Sequence, residues 1–109
     1  MIINIKTLTK DQFNQFIKLV KLYFKEIENE ILDDESANSY VNNILIQLEK
    51  YKTLCLIVSI DNNNINGFLL GNTFYNYNNE KCSFILELYV SCENRLQGIG
   101  KNLLKNLNI

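Results

Sequence analysis

One arginine and two glycines in this chain have the types and spacing needed to bind a phosphate group. Arg95, Gly98 and Gly100 form the pattern R-x-x-G-x-G, after an apolar run from Phe84 to Val90 and before apolar residues at helical spacing. We therefore predict a strand, a short polar loop and a helix that opens within residues 95–100. The apolar face of this helix is predicted to carry Leu96, Ile99, Leu103, Leu104 and Leu107. First-turn N–H groups of a helix lack backbone acceptors and carry partial positive charge. Glycines allow close approach to such N–H groups, so the stretch predicts an anion-binding loop.

Two common phosphate-binding motifs do not fit this loop. The dinucleotide-binding pattern G-x-G-x-x-G requires a third glycine where the chain has Leu103. The P-loop requires glycine in place of Arg95 and Ser or Thr in place of Asn102. A nucleotide-binding module built on Gly100 and Lys101 remains a less favoured alternative. A structural alternative is that the two glycines only ease a tight turn.

The stretch from Leu88 to Leu104, LYVSCENRLQGIGKNLL, resembles the pyrophosphate loop of the GNAT superfamily of acyl-CoA-dependent N-acetyltransferases. The family pattern is Q/R-x-x-G-x-G/A, directly after a strand and before a helix. The chain departs from it at Cys92, where the family often has proline, and at Leu96, where it often has glycine. The resemblance implies an enzyme with acetyl-CoA as cosubstrate, which transfers an acetyl group to a primary amine by direct attack in a ternary complex.

The resemblance also implies a role for individual residues. The loop N–H groups would bind the pyrophosphate, and Arg95 would hold the loop or screen phosphate charge. Backbone groups of residues 88–90 would pair with the pantetheine arm, and an N–H near Val90 would stabilise the oxyanion. The cofactor-binding residues predicted in this way are Leu88, Tyr89, Val90, Arg95, Leu96, Gln97, Gly98, Ile99, Gly100 and Lys101.

Acetyl transfer to an amine requires a base that takes a proton from the acceptor's ammonium group. Glu87 is the predicted catalytic base because it interrupts an apolar strand, where burial would raise its pKa toward a useful value. The equally weighted alternative is an outward residue on a half-exposed face. Tyr89 is also a candidate for proton transfer, with packing as its alternative. Cys92 has no base near it in sequence and is interpreted as a loop residue rather than an acyl-accepting nucleophile.

The composition excludes several other classes of protein. The chain has no histidine, which excludes Ser-His-Asp and Cys-His catalysis within it. Three cysteines without C-x-x-C spacing predict reduced thiols in a cytoplasmic protein and no metal site. A net charge of −1 without a dense basic patch predicts no nucleic-acid partner. No run approaches the roughly 20 apolar residues of a membrane span, so we expect no membrane partner.

Six acidic residues lie between the first two predicted helices. We interpret them as a solvated helix end and a helix cap. The alternative follows from the resemblance, which places this link beside the acceptor site. An acidic rim there would attract a cationic amine, such as a polyamine or a lysine side chain. The acceptor implied by the resemblance is a small amine, or a lysine or N-terminal amine. The residues are Glu26, Glu28, Glu30, Asp33, Asp34 and Glu35.

The hydrophobic pattern predicts elements in the order β-α-α-β-β-β-α. A capping box at Thr9 and Gln12 starts the first helix, whose apolar stripe runs to Ile31. Asp33 or Asp34 caps the second helix. Three strands follow, and in the last, strict alternation would put Ser83, Ile85, Glu87 and Tyr89 on one face. The predicted strands after the helices span residues 53–60, 65–77 and 81–90.

This order predicts an α+β fold, a GNAT-like three-layer arrangement with a mixed, mainly antiparallel sheet flanked by helices. The GNAT fold continues with a fifth strand, whereas the sequence given ends before it. We therefore expect residues 1–109 to form a single, incomplete GNAT-like domain whose fourth strand has an unpaired apolar edge. A fragment, a truncated product and a sheet completed by a second copy remain open. The alternative function is a catalytically inactive CoA-binding or regulatory remnant.

Overall fold

In the computed structural model, which describes residues 1–107, four strands form a sheet and three α-helices cover its two faces. Their order confirms the predicted β-α-α-β-β-β-α sequence of elements. A single turn of 3-10 helix, Cys92–Asn94, precedes the last α-helix. The elements are β1 (Ile2–Ile5), α1 (Lys10–Ile27), α2 (Asp34–Lys50), β2 (Leu54–Asp61), β3 (Asn64–Tyr75), β4 (Lys81–Val90) and α3 (Ile99–Asn106).

The strands form one sheet in the order β1-β2-β3-β4, and each neighbouring pair in residues 1–107 is antiparallel. Helices α1 and α2 pack on one face, where Phe16 and Val41 join a core with Val58 and Phe68. Helix α3 packs on the other face, where Leu103 joins a smaller cluster of apolar side chains. The predicted α+β class is confirmed. None of the helices within residues 1–107 is long and apolar enough to cross a membrane.

Side chains at the two long helices satisfy backbone groups as the sequence predicts. The Thr9 hydroxyl accepts from the Gln12 N–H at 3.2 Å, and the Thr9 N–H donates to Gln12 Oε1 at 3.0 Å. This reciprocal pair is the predicted capping box. Of the two candidate caps for α2, Asp33 is the one used, since its Oδ1 accepts from the Ser36 N–H at 2.7 Å.

Two predicted element ends are wrong. Helix α1 ends at Ile27, so Ile31, the last residue of the predicted apolar stripe, lies outside it and is 86% exposed. The chain turns at Asn29, whose positive φ of 54° does not fit a right-handed helix. Strand β3 ends at Tyr75 and not at residue 77, and the five residues 76–80 connect it to β4.

A β-bulge in β4 overturns the predicted strict alternation of that strand. Leu70 of β3 lies opposite Glu87, whereas the next residue, Gly71, lies opposite Ile85. Leu86 is therefore the extra residue in β4. It interrupts the alternation, so that the odd-numbered residues before it and those after it lie on opposite faces of the sheet. Ser83 and Ile85 thus lie on the α3 side, while Glu87 and Tyr89 lie on the side of α1 and α2.

The two glycines of β3 allow α3 to lie close against the sheet. A Cβ at Gly67 would lie 3.2 Å from Ile99 Cγ2, and one at Gly71 would lie 3.0 Å from Leu107 Cδ2. Each glycine also borders an irregularity in strand pairing, since the register with β2 shifts next to Gly67 and the register with β4 shifts between Leu70 and Gly71. Strand β3 therefore fixes where the first turn of α3 lies.

Candidate active site

A cleft of about 470 Å³ lies between the end of β4, the following loop, the start of α3 and the end of α1. It is lined by the predicted cofactor-binding residues other than Gln97 and Lys101. Glu26 and Ile27 from α1 and Asn94 from the 3-10 turn complete the lining. The fold thus brings the predicted loop and strand residues together around one cavity.

The loop keeps its shape through two residues with positive φ. Leu96 has φ 66° and Gly98 has φ 78°, so residues 95–98 cannot continue an α-helix. Helix α3 begins at Ile99, within the stretch 95–100 that was predicted to open it. Leu96 was predicted to lie on the apolar face of this helix, but it is fully exposed in the loop. Its positive φ gives a physical reason why glycine suits this position.

The loop and the first turn of α3 carry free donors beside the cleft. The Asn102 N–H donates to the Gly98 carbonyl at 3.0 Å and closes the first helical turn. The N–H groups of residues 96–101 have no acceptor among residues 1–107. Gly98 leaves open space beside the backbone, since a Cβ there would meet no heavy atom within 4 Å. Such a turn suits an anion.

Arg95 is held by contacts within the protein. Its Nε donates to the Val90 carbonyl at 3.0 Å, and its Nη2 donates to Glu26 Oε2 at 2.6 Å. The guanidinium also lies 5.5 Å from the centre of the Tyr89 ring. Arg95 therefore ties the loop to the end of β4 and to α1. These contacts favour the loop-holding role over charge screening.

Glu26 joins Arg95 to a second predicted site residue. The Tyr89 hydroxyl donates to Glu26 Oε2 at 2.7 Å. The hydrogen bonds from Arg95 and from Tyr89 lower the pKa of Glu26 to about 2. Burial, and then the hydrogen bond to Glu26, raise the pKa of Tyr89 to about 12. At neutral pH, Glu26 is thus ionised and Tyr89 keeps its proton.

Glu87 lies in a second polar cluster on the same face of the sheet. Its side chain is half-buried and accepts a hydrogen bond from the Tyr40 hydroxyl of α2. The Tyr23 hydroxyl of α1 donates to Glu28 Oε1 at 3.3 Å. Burial raises the pKa of Glu87, while the hydrogen bond from Tyr40 opposes that rise. Glu87 therefore points inward, toward α1 and α2.

The acidic residues between α1 and α2 have several different partners. Asp33 caps α2, which lowers the pKa of its carboxyl group through the hydrogen bond from the Ser36 backbone. Asp34 forms an ion pair with Lys21 of α1. With Glu26 bound to Arg95, half of the cluster serves helix ends and ion pairs. This agrees with our preferred interpretation of these residues.

Sequence reasoning missed Tyr40 and Tyr23 as site residues. Both lie on helix faces that are otherwise apolar, where the spacing alone indicates packing positions. A signal was available, because a buried tyrosine usually finds a hydrogen-bond partner for its hydroxyl. No group of three or more His, Cys, Asp or Glu side chains within residues 1–107 is arranged to hold a metal ion.

Comparison with known proteins identifies the family. The model of the acetyltransferase (GNAT) family matches residues 13–107. The chain belongs to the GNAT acetyltransferase family. The recognised resemblance is thereby confirmed. No curated protein sequence matches the chain.

Solved structures of GNAT enzymes share the fold. The ribosomal-protein-alanine N-acetyltransferase from Brucella melitensis biovar Abortus 2308 matches with a TM-score of 0.72 and 16% identity, over 99% of this chain and 68% of that one. An aminoglycoside acetyltransferase from an uncultured soil metagenomic sample matches with a TM-score of 0.67 and 23% identity, over 99% and 66%. The aminoglycoside N-acetyltransferase AAC(6')-Iy, in complex with CoA, matches with a TM-score of 0.68 and 16% identity, over 99% and 66%. The chain spans about two thirds of the length of these structures.

Proposed function

We propose that this GNAT-family chain binds acetyl-CoA and transfers its acetyl group to a primary amine by direct attack in a ternary complex. The observation that carries the proposal is the loop before α3. There, N–H groups without acceptors among residues 1–107, two residues with positive φ and a cleft come together. We further propose that it acts in the cytoplasm, since its cysteines are free thiols in the structure.

The residues of the cleft fit the cosubstrate in two ways. The N–H groups of residues 96–101 would hold the pyrophosphate, with partial positive charge from the start of α3. The end of β4, residues 88–90, would offer its outer edge to the pantetheine arm, because β4 pairs only with β3 within the described chain. When bound, acetyl-CoA supplies a thioester carbonyl that an amine can attack.

Glu87 is the group that we propose as the base. It must take a proton from the acceptor's ammonium group, so that a neutral amine attacks the thioester carbonyl. A carboxylate with a raised pKa suits this step better than an exposed one. Tyr89 is less suited, because its hydroxyl donates to Glu26 and its pKa lies near 12. We propose a packing and bracing role for Tyr89.

The acceptor is proposed at the level of its chemical class. Two proteins with a similar fold are named as an aminoglycoside acetyltransferase and a ribosomal-protein-alanine N-acetyltransferase. We propose a small primary amine, or a lysine or N-terminal amine of a protein. Glu28 and Glu87 lie together beside the cleft-forming end of α1, and their charge favours a cationic acceptor.

Calorimetric titration with acetyl-CoA tests the binding step. Gly98→Asn adds a side chain on the ligand side while asparagine tolerates a positive φ, so it should weaken binding about tenfold or more. Gly100→Ala is the matched control, because Gly100 has an ordinary φ and a Cβ there meets only Val90 Cγ2 at 3.9 Å. Equal affinity of both variants and the wild type would remove the loop from the proposal.

Transfer is tested separately, with a panel of polyamines, aminoglycosides and lysine peptides. Glu87→Gln should lower the transfer rate by roughly 10²–10⁴-fold and leave acetyl-CoA affinity unchanged. Binding without transfer to any acceptor would instead favour the second candidate function, a CoA-binding or regulatory protein. The observation favouring that candidate is that Glu87, the proposed base, is not among the residues that line the cleft. The mass in solution, measured in parallel, tests whether a second copy pairs along β4.

A further inference from the structure

The hydroxyl of Tyr40 meets the Glu87 carboxylate across two layers of the fold. Tyr40 lies on α2, and Glu87 follows the bulged residue Leu86 in β4. The Tyr40 hydroxyl donates a hydrogen bond to Glu87 Oε1. The two residues are 47 positions apart in sequence, so only the packing of α2 on the sheet brings them together.

Tyr40 is itself fixed by packing. Its ring lies edge-on to Phe24 of α1, with centroids 5.0 Å apart and planes at 87°. A phenylalanine at position 40 would make the same ring contact. The ring contact therefore does not require the hydroxyl, whose hydrogen-bond partner is Glu87.

The side chains that face Glu87 from neighbouring elements are two phenols, a carboxylate and an apolar side chain. Tyr23 comes from α1, Tyr40 from α2 and Glu28 from the segment between these helices. The residue opposite Glu87 on β3 is the apolar Leu70. Neither ion pair within residues 1–107 involves Glu87. Among these neighbours, the Tyr40 hydroxyl is thus the group that stabilises its negative charge by a hydrogen bond.

We infer that Tyr40 is a positioning residue, whose hydroxyl holds the Glu87 carboxylate as the proton acceptor for acetyl transfer. The inference rests on the proposed function and adds a residue to it. Tyr40 acts through Glu87 and is not itself a catalytic residue. Burial and the neighbouring Glu87 charge raise the pKa of Tyr40, so its hydroxyl stays a donor throughout the working pH range.

Removing the Tyr40 hydroxyl should change the pKa of Glu87 in a direction that can be measured. Burial and the charge of Glu28 disfavour the ionised form of Glu87, and the hydrogen bond from Tyr40 favours it. In Tyr40→Phe the pKa of Glu87 should therefore rise, by about one to two pH units for one lost hydrogen bond to a charged group. The acidic limb of kcat/KM against pH should move to higher pH by the same amount. Rates well above that limb should change little.

The experiment combines this pH profile with a titration that needs no substrate. The Glu87 carboxyl carbon is followed by ¹³C NMR in the whole chain, with Glu87→Gln used to assign it. Tyr51→Phe is the matched control, because Tyr51 lies at the C-terminal end of α2, is 51% exposed and makes no contact with Glu87. It should shift neither the titration nor the acidic limb.

Each outcome decides between the inference and the proposed function. If acetyl transfer occurs but Tyr40→Phe shifts neither the Glu87 titration nor the acidic limb, the inference fails and the function stands. If the wild type neither binds acetyl-CoA nor transfers acetyl groups, the function and the inference fail together. Should Tyr40→Phe unfold, the wild type still gives an answer. The Tyr40 Cζ resonance should then titrate with the Glu87 midpoint, and an independent Tyr40 signal would overturn the inference.

Discussion

Adding one methyl group to Gly67 should loosen the contact that sets the height of α3 above the sheet. In Gly67→Ala the new Cβ would lie 3.2 Å from Ile99 Cγ2, 3.2 Å from the Tyr89 carbonyl oxygen and 3.4 Å from Val90 Cγ2. The optimum for two non-bonded carbon atoms is about 3.5–4.0 Å. The carbonyl belongs to the paired strand β4 and cannot move away, so Ile99 at the start of α3 must shift.

The size of the effect follows from two opposing contributions. Overpacking a methyl group costs about 1–3 kcal/mol of unfolding free energy. Replacing glycine by alanine in a strand returns about 0.5–1 kcal/mol through the unfolded chain. We therefore expect Gly67→Ala to destabilise the protein by about 1 kcal/mol, which lowers the Tm of a domain of this size by roughly 5 °C.

Gly100→Ala is the matched comparison for Gly67→Ala. The same methyl group at position 100 enters the first turn of α3, where the nearest atom is Val90 Cγ2 at 3.9 Å. It should stabilise the protein by about 0.5–1 kcal/mol, because alanine favours the helix. Urea unfolding and thermal melts of both variants measure the difference. A Gly67→Ala variant at least as stable as Gly100→Ala would refute the close approach of α3 to β3.

Three further predictions concern stability. Thr9→Ala removes half of the capping box and should cost about 1 kcal/mol in urea unfolding, with Thr7→Ala as a control outside the cap. Leu103→Ala truncates the fully buried side chain of α3 and should cost about 2–5 kcal/mol, with faster amide exchange in residues 99–106; unchanged exchange would contradict the docking of this helix. The pKa of Glu26 is lowered from 4.5 to about 2, so its stabilising contribution is present above pH 4.5 and is lost as the pH falls toward 2. Glu26→Gln should therefore flatten the acid dependence of the urea midpoint in that window, and an identical dependence in the variant would argue against the contact with Arg95.

The braced loop links the fold to the proposed chemistry. Arg95 joins β4 through the Val90 carbonyl and α1 through Glu26, while Gly67 lets α3 sit against β3. These contacts hold the free N–H groups of the loop at a fixed place beside the end of β4. A preorganised donor set of this kind loses little freedom when an anion binds.

Local sequence determined the parts of this protein that depend on neighbours in the chain. The capping box of Thr9 and Gln12 spans one helical turn, so its partners can be read from adjacent residues. Apolar spacing likewise predicted the order of helices and strands. The spacing of Arg95, Gly98 and Gly100 after an apolar strand was sufficient to recognise the family.

Only the tertiary structure decided the features that depend on distant residues. Apolar spacing placed Leu96 on the helix, but its backbone turns to positive φ and α3 begins at Ile99. The bulge at Leu86 arises from pairing with β3. It decides on which face of the sheet the residues of β4 before Leu86 lie. The contact of Glu26 with Arg95 spans 69 positions, and that of Tyr40 with Glu87 spans 47. Periodicity reports which side of an element is apolar, whereas the packing of layers selects which polar groups meet.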